Sequence, residues 1–328
     1  MKKNVAIIGV TGMVGKAFIK VLEDRRFPVD NFYPFASHRS AGTKVTFNGT
    51  EYTVEELKPD SFDRKIDIAL FCASGDNSKQ YAPIAASKGC IAIDNSSAFR
   101  MDDDVPLVVP EVNPDAIRWG KGIIANPNCS TIPSVVALKP LHDRYGLKRV
   151  VYSTYQSVSG AKTAGVNDLA EGLKGNPPTS FPHPIANNCL PHIDAFTDNG
   201  YTKEELKMVN ETRKILGISS LPVTATTVRV PVFVGHSISI NAEFNNLIDM
   251  DEVIDLLKNA PGIVLQNDHA NNEYPMPITA EGRDEVFVGR VRRDFSVDSG
   301  VNLWAVADNV RKGAATNAVQ IAEVVIRG

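Results

Sequence analysis

The sequence has little cysteine, little net charge and no long apolar run, and each shortage removes a class of protein. Its four cysteines, Cys72, Cys90, Cys129 and Cys189, are scattered through 328 residues. They lack the close pairing of a zinc site or a disulfide framework, so reduced thiols in a reducing compartment are expected and no metal site. With 35 basic and 38 acidic residues the formal net charge is only -3. Such a balance gives no overall pull toward nucleic acid or an anionic membrane. No apolar stretch approaches the roughly 18 residues of a membrane helix. The opening Met1-Lys-Lys-Asn4 and the apolar residues 5–10 imitate a signal peptide, yet Gly9, Thr11, Gly12 and Gly15 interrupt the run and no Ala-x-Ala site follows. A cytoplasmic globular protein is expected, with 43% hydrophobic and 22% charged residues. No repeat, linker or low-complexity segment breaks a chain long enough for two domains.

What is present begins with a dinucleotide-type layout. Residues 4–8 read as a short apolar strand, and Gly9-Val-Thr-Gly12-Met-Val-Gly15 opens a helical run through Ala17, Phe18, Val21 and Leu22. Glycines at such a turn let the backbone approach a pyrophosphate, and the helix N-terminus supplies N–H donors. The spacing is G-x-x-G-x-x-G rather than the commoner G-x-G-x-x-G. A second strand near 32–36 should carry the group that reads the adenosine ribose. No acid stands there; Ser37, His38, Arg39 and Ser40 do, and no acid follows until Glu51. A cationic, hydroxyl-bearing loop suits a 2′-phosphate and points to NADP. Strand, helix and strand patterns over 66–72, 76–88 and 91–93 continue a parallel sheet. They place Arg100 in a loop at its carboxyl edge, to which a further strand at 123–125 leads.

The chain is organised around Asn126-Pro127-Asn128-Cys129-Ser130, between that last strand and a helix starting near Ser130. Cys129 is read as a nucleophile. A free thiol of pKa about 8.5 is only slightly ionised at neutral pH. A helix N-terminus favours the thiolate, and Ser130, Thr131 and Pro133 suit a first turn as hydroxyl caps and a residue without a donor.

Beyond about residue 140 longer β-rich runs take over, at 149–157, 223–234, 236–244, 286–293 and 302–307. A polar stretch at 175–191 and helices at 202–216 and 249–259 lie between them. A mostly antiparallel sheet with helices on one face is expected, an α+β domain, and a last helix over 309–326 that packs back on the first domain. Arg229 offers a planar fork for a carboxylate and His236 a proton acceptor near neutral pH. Seven apart on one strand they would face opposite ways, but Pro231 and Gly235 allow a bend. Glu204 and Lys207 share a helix face.

Five stretches in one order give the sequence a resemblance to the aspartate-β-semialdehyde dehydrogenase family over essentially its whole length. They are Gly9 to Gly15, Asn126 to Thr131, Tyr155 to Gly160, Arg229 to His236 and Ala307 to Ala314. The resemblance implies an α/β Rossmann-type dinucleotide-binding domain, residues 1–129 completed by the helix 309–328. It also implies an α+β catalytic and dimerisation domain, residues 130–308, like the C-terminal domain of glyceraldehyde-3-phosphate dehydrogenase. NADP-dependent, reversible conversion of aspartate semialdehyde and phosphate to aspartyl phosphate is implied, in a homodimer or dimer of dimers. Carried over by position, Cys129 is the nucleophile, His236 the general acid/base, and Gln156 the residue that positions the reacting group. Arg229 clamps the substrate carboxylate and Glu204 its amine, while Arg100 and Lys207 hold phosphate. Gly9, Thr11, Gly12, Met13, Val14, Arg39, Ser40, Ser159, Gly160 and Asn309 line the NADP site. Two positions depart from the pattern: Lys162 stands where a second glycine is expected after Gly160, and Pro133 where glutamine is expected.

Two rival readings make different demands on the residues. An enzyme of the same architecture acting on an N-acetylated glutamate semialdehyde would not need an anion such as Glu204 for a free amine. A non-catalytic NADP-binding sensor on an inherited fold would have lost a catalytic group, whereas Cys129, Gln156, Arg229 and His236 are all present.

Overall fold

The computed structural model describes residues 2–119 and 121–327. Residues 1 and 328, which bound the expected first domain, lie outside the described residues. The chain divides into two units, Met1–Pro127 with Ala314–Gly328, and Asn128–Gly313. Asn128, Cys129 and residues 309–313 therefore fall with the second unit, where the sequence reading had counted them with the first.

In the first unit β1 (Lys3–Ile8) is apolar and buried, as a strand covered on both faces must be. It leads through Gly9 into α1 (Met13–Asp24) and β2 (Val29–Ala36). A hairpin of β3 (Lys44–Phe47) and β4 (Thr50–Thr53) follows, then β5 (Glu55–Glu56), β6 (Ile68–Phe71), α2 (Gly75–Ser87), β7 (Ile91–Asp94) and β8 (Ile123–Ala125). The six strands of the main sheet lie in the order β5-β2-β1-β6-β7-β8, every pair parallel. The order reverses at β1, which has β2 on one side and β6 on the other. The carboxyl end of that strand is the switch point where ligands of such sheets bind, and Gly9 sits there. Gly9 takes φ +92°, open to glycine and hard for other residues.

The second unit opens with α3 (Thr131–Tyr145), β9 (Leu147–Gln156), α4 (Lys162–Gly172) and α5 (Lys203–Leu216). β10 (Val223–Arg229), β11 (His236–Phe244), α6 (Met250–Asn259), β12 (Ile263–Leu265), α7 (Pro277–Ala280), β13 (Val286–Arg293) and β14 (Gly300–Ala307) complete it. Its sheet runs β10-β9-β11-β14-β13-β12, with the three central pairings antiparallel and the two outer ones parallel. On β9 the buried residues Val150, Tyr152, Thr154 and Gln156 alternate with more exposed ones, the period of a strand covered on one face. Tyr152 points to α5, where its hydroxyl meets Thr212 at 3.2 Å.

The last helix, α8 (Thr316–Arg327), follows a short π-helix at Arg311–Ala315 and belongs to the first unit. Its α-helical part starts later than residue 309 because a π-helical segment comes first: the Gly313 N–H donates to the Asp308 carbonyl, five residues back, at 3.0 Å, while Asp308 Oδ1 caps the Val310 and Arg311 N–H groups. Ala318, Val319, Ile321 and Ala322 join the core beneath α1, and Arg25 grips Glu323 through two bonds of 2.7 and 2.8 Å.

Candidate active site

Strand register brings three of the expected residues to one place. Arg229 ends β10 and pairs with Gln156 at the end of β9, while His236 begins β11 one step beyond the Ser237–Tyr155 pair. Residues paired across strands project to the same face, so all three side chains lie on the helix-covered face at one end of the sheet. The seven-residue spacing, which on a single strand would separate Arg229 from His236, is resolved by the chain leaving β10 and re-entering at β11 on the far side of β9. Gly235 makes the re-entry at φ +93°. A Cβ added to Gly160 would stand 2.7 Å from Arg229 Nη1 and 3.3 Å from His236 Nε2, so both groups converge on the space over this glycine.

His236 is fully buried. Its Nδ1 accepts the Ser157 N–H at 3.0 Å, which fixes the neutral ring's proton on Nε2, and Nε2 has no partner among the described residues. Burial, and then the neighbouring Arg229 charge, hold its pKa well below the usual value. The expected proton acceptor near neutral pH is therefore a neutral N–H donor. Asn309, expected to line the cofactor site, is itself buried; its Oδ1 accepts the Gly235 N–H at 2.9 Å and the Ser157 and Ser159 hydroxyls at 3.0 and 3.2 Å. It ties together the two segments that flank His236.

Arg229 donates from Nη1 to the Ser157 carbonyl at 2.8 Å and lies over the Phe181 ring at 5.9 Å. Burial lowers its pKa, while Glu204 and Cys129 act in the opposite direction. Phe181 is held in turn by Asp168 on α4, whose carboxylate accepts the N–H groups of Thr179, Ser180 and Phe181 and the Thr179 hydroxyl. Burial opposes ionisation of Asp168, yet these bonds win and lower it to about 2. Neither Phe181 nor Asp168 was singled out from the sequence; only the polar character of 175–191 pointed there.

Cys129 is partly buried and immediately precedes the N-cap residue of α3. The cap differs from expectation. Asn128 Oδ1 accepts the Ser130 and Thr131 N–H groups at 2.9 and 3.3 Å, the Thr131 hydroxyl turns to Met208 Sδ, and the Ser130 hydroxyl caps nothing. Pro133 sits in the first turn, where its missing donor costs no bond. A side chain on Gly313 would stand 3.0 Å from Cys129 Cβ, so a glycine there leaves Cys129 its place.

α5 reaches the same corner. Glu204 Oε1 accepts from Asn128 Nδ2 at 2.8 Å and Gln156 Nε2 at 3.1 Å, and Oε2 from Lys207 at 3.0 Å. Burial would raise this carboxyl, but Lys207, Asn128 and Gln156 hold it below the ordinary range. Two turns on, Glu211 accepts the Asn128 N–H at 2.6 Å. Lys207 also binds Asp194 at 2.8 Å. Burial works against its charge, and the two carboxylates raise it above the usual lysine value.

Gly9, Thr11, Gly12, Met13, Val14, Arg39, Ser40 and Arg100 belong to the first unit, and Ser159, Gly160 and Asn309 to the second. Gly12 is the N-cap of α1 and places no side chain over the helix end, so the first-turn N–H groups are presented to an anion, as a pyrophosphate requires. Gly15 lies so close to Gly9 and Val10 that any Cβ would collide. Thr11 Oγ1 meets Ser40 Oγ at 3.4 Å, joining the glycine turn to the 3-10 turn His38–Ser40. A cavity of about 160 Å³ lined by Gly9, Ser37, Ala73, Asn77 and Tyr81 opens beside them. These features fit a dinucleotide. Arg39 is exposed and has no ion-pair partner among the described residues. The loop is not free of acids, however: β5 pairs with β2 and brings Glu56 within 3.4 Å of His38 and 3.2 Å of Lys58. Arg100 is buried and donates to the Asn126 and Asn95 carbonyls at 2.9 and 3.0 Å.

Comparison with known proteins agrees with this layout. Residues 4–119 match the family described as semialdehyde dehydrogenase, NAD binding domain, and residues 138–312 match its dimerisation domain. An aspartate-semialdehyde dehydrogenase of Aquifex aeolicus is 56% identical over 336 residues, covering 100% of this chain and 99% of its own. The chain belongs to the aspartate-semialdehyde dehydrogenase family. A crystal structure of aspartate semialdehyde dehydrogenase II from Vibrio cholerae, complexed with ASA, superposes with a TM-score of 0.95 at 50% identity, covering 100% of this chain and 99% of that one. One with NADP from Candida albicans does so at 0.80 and 26%, with 99% of each chain covered. Aspartate-semialdehyde dehydrogenases are oxidoreductases, and the first unit carries the family's nicotinamide-dinucleotide-binding domain.

Proposed function

We propose that this chain catalyses the reversible, phosphate-dependent oxidation of aspartate semialdehyde to aspartyl phosphate, a step in the biosynthesis of lysine, threonine, methionine and isoleucine. The observation that carries the reading is the convergence of a buried arginine fork and an unpartnered histidine N–H over Gly160, on a site that also holds Cys129 and a buried carboxylate. The arginine pairs with the substrate carboxylate and Glu204 with its ammonium. Gln156, fixed by Thr154 and Glu204, positions the reacting carbonyl. The thiolate of Cys129 adds to the aldehyde carbon, and the His236 Nε2–H stabilises the oxyanion that forms. The nicotinamide, when bound, supplies the hydride acceptor. Collapse of the oxyanion as hydride leaves gives a thioester on Cys129 without any proton transfer. His236 thus serves as a donor to the oxyanion, and no base is demanded of it. Phosphate held by Lys207 and Arg100 then displaces the thiolate, giving the acyl phosphate.

NADP is the cofactor in this reading, because Arg39 with Ser37 and Ser40 would bind a 2′-phosphate; Glu56, already held by Lys58 and His38, weakens that preference without reversing it. The chain acts as a homodimer, or a dimer of dimers, in the cytoplasm. Tyr155, Met276, Ile278 and Phe295 expose apolar surface on the second unit for a second copy.

The test is NADPH formation from aspartate semialdehyde with and without phosphate, alongside an N-acetylated glutamate semialdehyde. Phosphate-dependent turnover of the free amine alone is expected. Preference for the acetylated aldehyde would remove Glu204 from the amine site.

A further inference from the structure

Lys207, the phosphate ligand of the reading above, is already occupied. Its ammonium lies 2.8 Å from Asp194 Oδ2 and 3.0 Å from Glu204 Oε2, with the side chain only 25% exposed. Both carboxylates already engage the ammonium, so an entering phosphate must compete with them for it. Glu204 has further bonds to Asn128 and Gln156, so it is anchored independently of the lysine. Asp194 has no such role among the described residues: apart from Lys207 its side chain accepts only its neighbour's N–H, from Ala195 at 2.8 Å.

Asp194 is nonetheless well placed. It sits at φ +67°, between the buried Ile193 and a short bridge of Phe196 with Thr202 that fastens the segment to the start of α5. The Lys203 N–H donates to the Ala195 carbonyl at 2.8 Å, and the His192 and Phe196 rings stack at 4.3 Å around the turn. This turn holds an anion against Lys207 on the solvent side.

We propose that Asp194 is a resting counter-ion of Lys207, standing where a phosphoryl group binds and yielding the ammonium to phosphate when it enters. The inference rests on Lys207 being a phosphate ligand. It assigns Asp194 a specificity role: it keeps a half-buried lysine charged and fixed while the site is empty, and it sets how strongly phosphate must compete.

The test is the KM for phosphate in the full-length enzyme carrying Asp194→Asn. Asparagine keeps the acceptor for the Ala195 N–H and tolerates the left-handed backbone, so the turn is preserved. Removing the competing charge should lower the phosphate KM by roughly three- to tenfold, with the KM for the aldehyde little changed. Lys207→Met is measured beside it and should raise the phosphate KM by at least tenfold. If Lys207→Met matters but Asp194→Asn leaves the phosphate KM unchanged or raises it, Asp194 merely orients the lysine and the proposal is overturned. If Lys207→Met leaves the phosphate KM within about twofold, the phosphate reading of Lys207 is itself wrong and the proposal falls with it.

Discussion

The two candidate sites recognise charge in opposite ways. In the second unit Arg229, Glu204, Gln156 and His236 are buried, and each is fixed by named bonds to neighbouring strands or helices. In the first unit the glycine turn offers backbone N–H groups, and the charge proposed to read the ribose, Arg39, is exposed and unpaired among the described residues. Buried groups act at low dielectric and cannot be replaced by water; exposed ones are screened and share their work with the solvent. Losses in the second unit should therefore be large and insensitive to salt, and losses in the first small and salt-dependent.

Cys129→Ala gives the largest effect, abolishing turnover while NADP still binds, because the thiolate forms the covalent bond and lies outside the dinucleotide turn. Residual turnover in the variant, or faster alkylation of Cys72, Cys90 or Cys189 in the parent, would remove Cys129 from the chemistry. Next, Arg229→Lys keeps the charge but loses the two-pronged geometry. It should cost roughly 2 to 4 kcal/mol, or about 30- to 1,000-fold in kcat/KM, with little change between low and high salt. A variant within threefold of the parent would show that burial does not set this site apart.

Asp168→Asn probes the support beneath Arg229. With its folded pKa lowered to about 2, the Asp168 carboxylate contributes on the order of 2 kcal/mol at neutral pH. That contribution is present above the unfolded carboxyl pKa and is lost as pH falls toward 2. The variant should unfold at lower denaturant and be less sensitive to acid between pH 4 and 2 than the parent; equal stability at neutral pH would contradict this. Arg39→Glu is smaller still. With Glu56 nearby, the parent's preference for NADP is expected at about tenfold. The variant should lose it, and the difference should shrink as salt rises; a salt-independent ratio would place this loop in the buried class. The least change belongs to His236. Its pKa is well below 6.5, so kcat/KM should show no limb from it between pH 6 and 8. A limb near 6.5 that vanishes in His236→Gln would contradict a neutral donor.

What the sequence revealed follows the same division. Glycine turns, alternating strands and the Asn-Pro-Asn-Cys motif are local signals, and β1, α1, β7, β8, β11 and β13 lie within a residue or two of where pattern alone puts them. The Asn48-Gly49 hairpin carried a local signal too, both residues taking positive φ, but it was not read. α4 gave little to read: it holds glycines at 165 and 172 and starts at Lys162, whose φ of +60° and ψ of -156° are those a glycine adopts freely, which accounts for the glycine expected there. Interactions across the chain were out of reach. Nothing local says that Glu56 approaches His38 through a strand pairing, or that the Ser157 N–H decides the tautomer of His236. The meeting of Arg229 with His236 needed the strand order β10-β9-β11, which spacing along the chain does not contain.

The central claim is that Cys129 carries the acyl group. Incubating the enzyme with aspartate semialdehyde and NADP without phosphate, followed by acid quench and peptide mass analysis, measures it directly. An aspartyl thioester on the Cys129 peptide, discharged on adding phosphate, is predicted. An unmodified Cys129 peptide while one equivalent of NADPH has formed, or an adduct that persists in phosphate, would contradict it.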